Sequence, residues 1–250
     1  IIYTAVTTYT VIIIKFVSKL KTKTIMNISV NRICRSLAIV TIFITLTCFN
    51  YKTHAYEYWD RKVSQFDSLP VYPEDIVFLG NSITDGGHFN ELFEMPNIKN
   101  RGISSDVING VAKRITQVTK GHPKKIFLLI GINDVAQNHS VSTLLKRYEA
   151  LVDSIQSQSP ESKLYIQSIM PVNHSFKRYK TLYGKDKIIT DFNKGLKTMA
   201  ENKGVTYIDL WPFLADNNGR LKREYTNDGL HLSGAGYKAW TKGIDKYVRE

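Results

Sequence analysis

Five short apolar runs, each followed by a turn and an amphipathic stretch, constrain the fold of this 250-residue chain more than any other feature. The runs lie at residues 75–80, 96–101, 125–131, 163–170 and 205–210. Nearly continuous apolar runs of this length are typical of parallel strands that are covered on both faces. The sequence therefore predicts five buried parallel strands.

Amphipathic stretches fill the gaps between the runs, with apolar residues three and four positions apart. These predicted helices lie at residues 106–119, 142–157, 186–203 and 234–248. Alternation of strand and helix implies right-handed crossovers. The predicted fold is α/β, a flavodoxin-like three-layer α/β/α sandwich with a five-stranded parallel sheet. In such sheets ligands bind beyond the carboxyl ends of the strands.

The segment before residue 56 has the order of a secretory signal peptide. A start at Met26 is followed by a basic region, by an apolar run at 37–49 and by small residues that end at Ala55. The apolar run is about 13 residues long, which is short for a bilayer-spanning helix of roughly 20. We predict a leader at 1–55 that is cleaved after Ala55, and a single domain at 56–250.

Two alternatives to cleavage remain open, a lipid anchor at Cys48 and a retained membrane anchor. Cleavage after Ala55 predicts a protein exported to the periplasm or the outside of the cell, with no stable membrane insertion after processing. Both cysteines, Cys34 and Cys48, lie in the leader. The processed chain would then contain neither a disulfide nor a thiol nucleophile.

The positive charge of the chain is concentrated in the leader. The net charge is +12, but seven basic residues and no acidic residue lie in 1–55, which leaves a net of +5 for residues 56–250. No basic stripe interleaved with aromatic residues is visible, so the sequence argues against a nucleic-acid partner.

Polar residues follow the first three predicted strands. Ser82 stands in Gly80-Asn81-Ser82-Ile83-Thr84, where it is either an exposed nucleophile at the start of a helix or an ordinary helix cap. The small-residue loop 100–106 could supply backbone donors, or only a cap from Ser104 or Ser105. Asn133 could donate its amide to an oxyanion, or hold its own turn.

Asp228 and His231 lie three positions apart in a loop near the end of the chain. The carboxylate could orient the imidazole so that its other nitrogen accepts a proton from a hydroxyl, or the two could form a structural pair. Taken together, the four loops offer a nucleophile, oxyanion donors, a base and an orienting acid. These are the parts that acyl transfer requires.

In the order and spacing of these four blocks, residues 73–245 resemble the SGNH hydrolases, also called the GDSL lipase/acylhydrolase family. The blocks are 80–84, 100–106, 131–134 and 228–231. The resemblance implies that Ser82 is the nucleophile, that Asp228 and His231 are the acid and the base, and that Asn133 is an oxyanion donor. It implies no metal and no organic cofactor.

Two positions depart from the family pattern. Asn81 replaces the usual Asp before the nucleophile, which implies altered local hydrogen bonding but preserved activity. Ser105 replaces the usual oxyanion Gly, and a position that requires positive φ would not accept Ser freely. We assign the oxyanion hole to the backbone N–H groups of Ser82 and Ser105 and to the Asn133 amide, with Gly102 as the alternative to Ser105.

The remaining histidines of the predicted domain, His88, His122, His139 and His174, have no metal-ligand spacing. His174 lies in the loop 171–182, which is either a solvated loop or one wall of the substrate cleft. That loop also contains Phe176, Arg178 and Tyr179.

The resemblance is greatest to acetylhydrolases and to carbohydrate O-acetylesterases. It implies a serine esterase that hydrolyses short acyl esters, with O-acetyl groups on sugars or glycans as the expected substrates. The alternatives are a lysophospholipase or thioesterase, and an inactive glycan-binding protein. An α/β-hydrolase fold is disfavoured because it needs a G-x-S-x-G elbow, which the sequence lacks. The sequence does not indicate an oligomeric state.

Overall fold

The computed structural model describes residues 57–250. The predicted leader lies outside the described residues, together with the start at Met26, the cleavage after Ala55 and the possible anchor at Cys48. Among the helices of the described part, none is both long and apolar enough to cross a membrane.

The predicted five-stranded parallel sheet is confirmed, with the strand order β2-β1-β3-β4-β5. The strands are β1 (Ile76–Gly80), β2 (Ile98–Gly102), β3 (Lys125–Leu129), β4 (Lys163–Gln167) and β5 (Thr206–Ile208). The predicted runs are longer than the strands, and the last residues of the third, fourth and fifth runs lie beyond the strands, in the loops at the carboxyl edge.

Ten α-helices connect and cover the strands within residues 57–250. They are α1 (57–67), α2 (Ser82–Asp85), α3 (Phe89–Leu92), α4 (Ile108–Lys113), α5 (Thr116–Thr119), α6 (Ile132–Ala136), α7 (Val141–Gln158), α8 (Asp186–Lys203), α9 (Trp211–Leu214) and α10 (Gly234–Arg249). Helices α7, α8 and α10 match three of the predicted helices to within two residues.

The remaining predicted helix, at residues 106–119, is wrong as a single element. The structure divides it into α4 and α5, and α4 ends before Arg114, where φ is −113°. The guanidinium of Arg114 is buried and donates to the Asp106 carboxylate at 2.8 Å. This tertiary contact accompanies the break, and hydrophobic periodicity does not report it.

Alternate side chains of the central strands form an aromatic row on one face of the sheet. Phe78, Phe127 and Tyr165 are in register on three adjacent strands, and their ring centroids lie 5.0 Å and 4.5 Å apart. Trp240 of α10 meets Phe78 edge-on at 6.4 Å. Because side chains alternate between the two faces of a strand, the strand residues next to this aromatic row point to the layer of helices on the opposite face.

The strand order creates a crevice at the carboxyl edge between β1 and β3. From β1 the chain crosses to β2 on one side, and then returns past β1 to β3 on the other. Connections that leave two neighbouring strands in opposite directions open a cleft between them, and ligands of open α/β sheets bind there. Ser82 follows β1 and Asn133 follows β3, so both flank this crevice.

Candidate active site

Ser82 is the first residue of α2, directly after the strand that borders the crevice. The residue that caps this helix is Asn81, whose side-chain oxygen accepts the N–H of Ile83 at 3.0 Å. The interpretation of Ser82 as a helix cap is therefore wrong, and its hydroxyl is available for other contacts. An Asp at position 81 could make the same capping bond, so the departure to Asn preserves this function.

A continuous line of hydrogen bonds joins Ser82, His231 and Asp228. The Ser82 Oγ lies 2.9 Å from the His231 Nε2, and the His231 Nδ1 lies 2.7 Å from the Asp228 Oδ2. Ser82 and His231 are 149 positions apart in the chain, so the contact depends on the whole fold. The geometry brings together the three predicted residues in the order that nucleophilic catalysis requires.

Asp228 is fixed by the loop in which it lies. Its Oδ1 accepts the backbone N–H groups of Leu230 and His231 at 2.9 and 2.8 Å. Burial opposes ionisation, but these donors and the His231 side chain outweigh it and lower the pKa of Asp228 to about 2. Asp228 is therefore an ionised acceptor at neutral pH, which keeps the proton of the imidazole on Nδ1 and leaves Nε2 to face Ser82.

Tyr179 is a contact of this pair that the sequence did not predict. Its hydroxyl donates to the Asp228 Oδ2 at 3.0 Å and lies 3.0 Å from the His231 Nδ1. The residue comes from the loop 171–182, so that loop forms part of the wall around the pair rather than a purely solvated connection. No periodicity or motif marks Tyr179 in the sequence.

The Asn133 side chain points towards the loop that follows β2. Its Nδ2 donates to the backbone carbonyl of Asp106 at 2.8 Å. An amide nitrogen carries two hydrogens, so this bond orients the group and leaves a second donor. The structure thus favours a side-chain donor at position 133 over an Asn that holds its own turn.

Ser105 has a left-handed backbone conformation, with φ at +68°. The Asp106 N–H donates to the Ile103 carbonyl at 3.1 Å, so residues 103–106 form a β-turn with Ser105 as its third residue. Positive φ at that place is the type II pattern, which favours Gly. The turn explains why Gly is usual here, and Ser105 adopts the same geometry.

Gly102, the alternative donor, lies inside β2, and its N–H is engaged by the Asn100 side-chain oxygen at 2.8 Å. A Cβ at Gly102 would lie 2.2 Å from the backbone nitrogen of Asp85. The close approach of α2 therefore accounts for this glycine, and Ser105 is the better candidate for the second backbone donor.

Arg114 fastens the loops that present these groups. Besides its ion pair with Asp106, it donates to the carbonyls of Arg101 and Gly80 at 2.9 and 3.1 Å. Both ion-pair side chains are about 1% exposed. A single guanidinium thus links the ends of β1 and β2 to the turn that contains Ser105.

Asp134, next to Asn133, is a buried acid with an incomplete set of partners. Its Oδ2 accepts the Ile108 N–H at 3.1 Å, while no hydrogen bond to the described residues reaches its Oδ1. The nearest cation is Arg147, at 3.9 Å. Burial is the main cause that raises the pKa of Asp134 to about 6.

We expect Asp134→Asn to change how stability depends on pH. The unfolded carboxyl ionises near pH 4 and the folded one near pH 6, so the parent loses about 1–3 kcal/mol of stability as pH rises through this window. The free-energy difference between variant and parent, from urea unfolding at pH 4.5 and 7.5, should shift by that amount in favour of the variant. The exposed Asp60→Asn variant is the control. A constant difference at both pH values would contradict the buried, ionising Asp134.

Three of the other histidines each pair with a single carboxylate. His88, His122 and His174 lie 3.2, 3.3 and 3.0 Å from Glu91, Glu161 and Asp186 respectively. Within residues 57–250, no three His, Cys, Asp or Glu side chains are grouped so that they could hold a metal ion.

Comparison with known proteins identifies the relatives of this chain. Residues 78–239 match the sequence model of the GDSL-like lipase/acylhydrolase family. A Streptococcus pneumoniae protein solved under the name of a platelet activating factor is 28% identical. Its TM-score is 0.75, and the match covers 82% of this chain and 99% of that one.

Two further structures share the fold at lower identity. A GDSL-like lipase from Bacteroides thetaiotaomicron is 20% identical, with a TM-score of 0.67 over 76% of this chain and 97% of that chain. A family 3 carbohydrate esterase from Clostridium thermocellum is 21% identical, with a TM-score of 0.53 over 70% of this chain and 97% of that chain.

One curated relative is a larger protein. The N-acylneuraminate cytidylyltransferase of Escherichia coli is 26% identical over 194 residues, which are 76% of this chain and 43% of that protein. The chain therefore spans less than half the length of this relative.

Proposed function

The chain belongs to the GDSL-like lipase/acylhydrolase family, and from this premise we propose that it is a serine esterase that removes acetyl groups from sugars or glycans. Ser82 is the proposed nucleophile, His231 the base and Asp228 the orienting acid. The observation that carries the proposal is the unbroken line of hydrogen bonds from the Ser82 Oγ through the imidazole to the Asp228 carboxylate.

In the first half of the reaction, the Ser82 Oγ attacks the ester carbonyl while the His231 Nε2 takes its proton. The charge that develops on the imidazole is stabilised by Asp228, which stays ionised because of its low pKa. Collapse of the tetrahedral intermediate breaks the bond to the alcohol. His231 returns its proton to the leaving oxygen, and the acyl group remains on Ser82.

The negative charge of the tetrahedral intermediate needs donors that are already in place. The backbone N–H groups of Ser82 and Ser105 and the second hydrogen of the Asn133 amide are the proposed donors. Loss of one such donor typically costs about 10²–10³ in rate. The bond from Asn133 to the Asp106 carbonyl supports this role, because it limits the rotation of the amide.

The second half of the reaction uses the same groups. Water enters the place of the alcohol, His231 removes its proton, and attack on the acyl carbon releases the acid and restores the Ser82 hydroxyl. His231 is the acid and the base in both halves, Ser82 is the nucleophile of the first half and water is that of the second.

The proposed preference for a short acyl group rests on the resemblance of the four blocks to acetylhydrolases, and the cleft beside Ser82 supports a polar substrate. The adjoining cleft, about 470 Å³ in volume, has four hydroxyl groups and one carboxylate in its lining. The large apolar side chains that are exposed in the described part are Leu69, Tyr72 and Tyr183, and none of them lines the cleft. A polar substrate would find hydrogen-bonding groups in this lining.

The names of two similar proteins support a sugar as the alcohol, the carbohydrate esterase of Clostridium thermocellum and the N-acylneuraminate enzyme of Escherichia coli. Export through the leader at 1–55 is part of the same proposal, since a periplasmic or extracellular esterase would meet acetylated glycans.

The test is hydrolysis of p-nitrophenyl acetate and p-nitrophenyl octanoate by the purified protein, with a fluorophosphonate probe to label the nucleophile. We expect kcat/KM for acetate to exceed that for octanoate at least about tenfold, and the probe to attach to Ser82. Preference for octanoate would favour the lysophospholipase or thioesterase alternative. No turnover and no labelling would favour an inactive glycan-binding protein.

A further inference from the structure

The cleft beside Ser82 lies on the side of the imidazole. Ser82 and His231 line it, together with Gly86 and Leu232, and four polar side chains complete the lining: Tyr58, Asp85, Ser104 and Tyr237. Tyr58 comes from α1, so a helix that contains none of the family blocks contributes directly to the space next to the nucleophile.

Apart from Ser82, the three hydroxyl groups of this lining all direct their hydrogens into the protein. Tyr58 and Ser104 donate to the Asp85 Oδ2 at 2.6 and 2.8 Å, and Tyr237 donates to the Ile83 carbonyl at 2.8 Å. A hydroxyl has one hydrogen and two lone pairs. With each hydrogen already used, these hydroxyls can only accept hydrogen bonds from a molecule in the cleft.

Asp85 determines the direction in which the Tyr58 and Ser104 hydroxyls donate. Burial opposes its ionisation, but the hydrogen bonds from Tyr58, Lys62 and Ser104 outweigh burial and lower its pKa. The Lys62 Nζ lies 3.0 Å from the other carboxylate oxygen. Because an ionised carboxylate can only accept, the Tyr58 and Ser104 hydroxyls must donate to it.

The position of the cleft identifies which half of the ester it would hold. His231 must protonate the leaving oxygen, so the alcohol lies on the His231 side of the reacting carbon. The cleft is lined by Ser82 and His231, whereas Asn133, the proposed oxyanion donor, is not part of its lining. The cleft therefore corresponds to the alcohol and not to the acyl group.

We propose that the cleft formed by Tyr58, Asp85, Ser104 and Tyr237 is a subsite for the alcohol part of the ester, and that it selects an alcohol with several hydroxyl donors, as in a sugar ring or polyol. This inference rests on the proposed function. Sites built to bond a substrate hydroxyl discriminate against an analogue that lacks it, because acceptors that the bound ring covers then lose their partners.

The test compares two acetate esters of six-membered ring alcohols, a mono-O-acetyl hexose and cyclohexyl acetate, which differ chiefly in the hydroxyl groups of the ring. We expect the purified protein to favour the hexose ester at least about tenfold in kcat/KM. The Tyr58→Phe and Ser104→Ala variants each lose one acceptor. In each of them the ratio of kcat/KM for the hexose ester to kcat/KM for cyclohexyl acetate should fall about three- to tenfold. The exposed Tyr72→Phe is the matched control and should keep the ratio of the parent.

The outcomes separate this inference from the proposed function. If p-nitrophenyl acetate is hydrolysed through Ser82 but the hexose ester is not preferred, the subsite is wrong and the esterase stands. An unchanged ratio in both variants, with melting temperatures like that of the parent, would also overturn the subsite. Activity on p-nitrophenyl acetate that does not depend on Ser82 would instead overturn the proposed function.

Discussion

Replacement of Ser82 by Ala should lower kcat for p-nitrophenyl acetate by about 10⁴–10⁶-fold, because no other group takes over the attack on the carbonyl. The change removes one oxygen from a half-buried side chain whose hydroxyl contacts His231. The free energy of unfolding should therefore change by less than about 1 kcal/mol, so the loss of activity would not reflect loss of the fold.

A matched control is Ser154→Ala. Within residues 57–250, the Ser154 hydroxyl donates only to the carbonyl of Ala150 in its own helix, at 2.9 Å. This variant should therefore keep the activity of the parent. Steady-state kinetics of the three proteins, corrected for spontaneous hydrolysis, is the measurement. If Ser82→Ala keeps more than about a tenth of the parent activity, Ser82 is not the nucleophile.

Replacement of Arg114 by Met should destabilise the fold by about 3–5 kcal/mol, the usual cost when one partner of a buried ion pair is removed. The Asp106 carboxylate would remain buried, and the carbonyls of Gly80 and Arg101 would each lose a donor. Since the total stability of such a domain is about 5–15 kcal/mol, this change removes a large part of it.

The loss in Arg114→Met should also grow as the pH rises. Burial raises the pKa of Asp106 even in the presence of Arg114, and removal of the cation raises it further. The pKa of Asp106 is then higher in the folded variant than in its unfolded chain, so the free energy of unfolding falls as the pH rises. Guanidinium unfolding at pH 5.5 and 8 measures this difference.

The surface pair of Arg249 and Asp245 provides the comparison. Both side chains are about half exposed, and Arg249→Met should cost no more than about 1 kcal/mol at either pH. Equal effects of the two Arg→Met changes would contradict the structural role of Arg114.

The fold could be predicted because strands that are buried on both faces appear in the sequence as nearly continuous apolar runs. Each strand of the sheet lies within or beside an apolar run, and α8 has the predicted bounds because its apolar spacing is regular over five turns. The break between α4 and α5 could not be predicted in this way. It accompanies the contact of Arg114 with a distant carboxylate, which periodicity does not record.

The site was predictable where its residues follow the strands. The order of the strands then brings those residues together, and the Ser82–His231–Asp228 geometry agrees with the proposed roles, which stay a prediction until tested. Tyr179 and Tyr58 were not assigned to the site from the sequence. One lies in an irregular loop and the other in a helix outside the four blocks, so only the tertiary structure reveals their contacts.

The left-handed turn at Ser105 has a consequence for the detection of related proteins. A search signature that demands glycine at this position specifies the commonest residue. The physical requirement is instead a residue that tolerates a positive φ. Asn and Asp adopt positive φ more readily than most residues other than Gly, and Ser105 adopts it here. Signatures that score backbone tolerance instead of residue identity should retrieve divergent family members that a glycine rule discards.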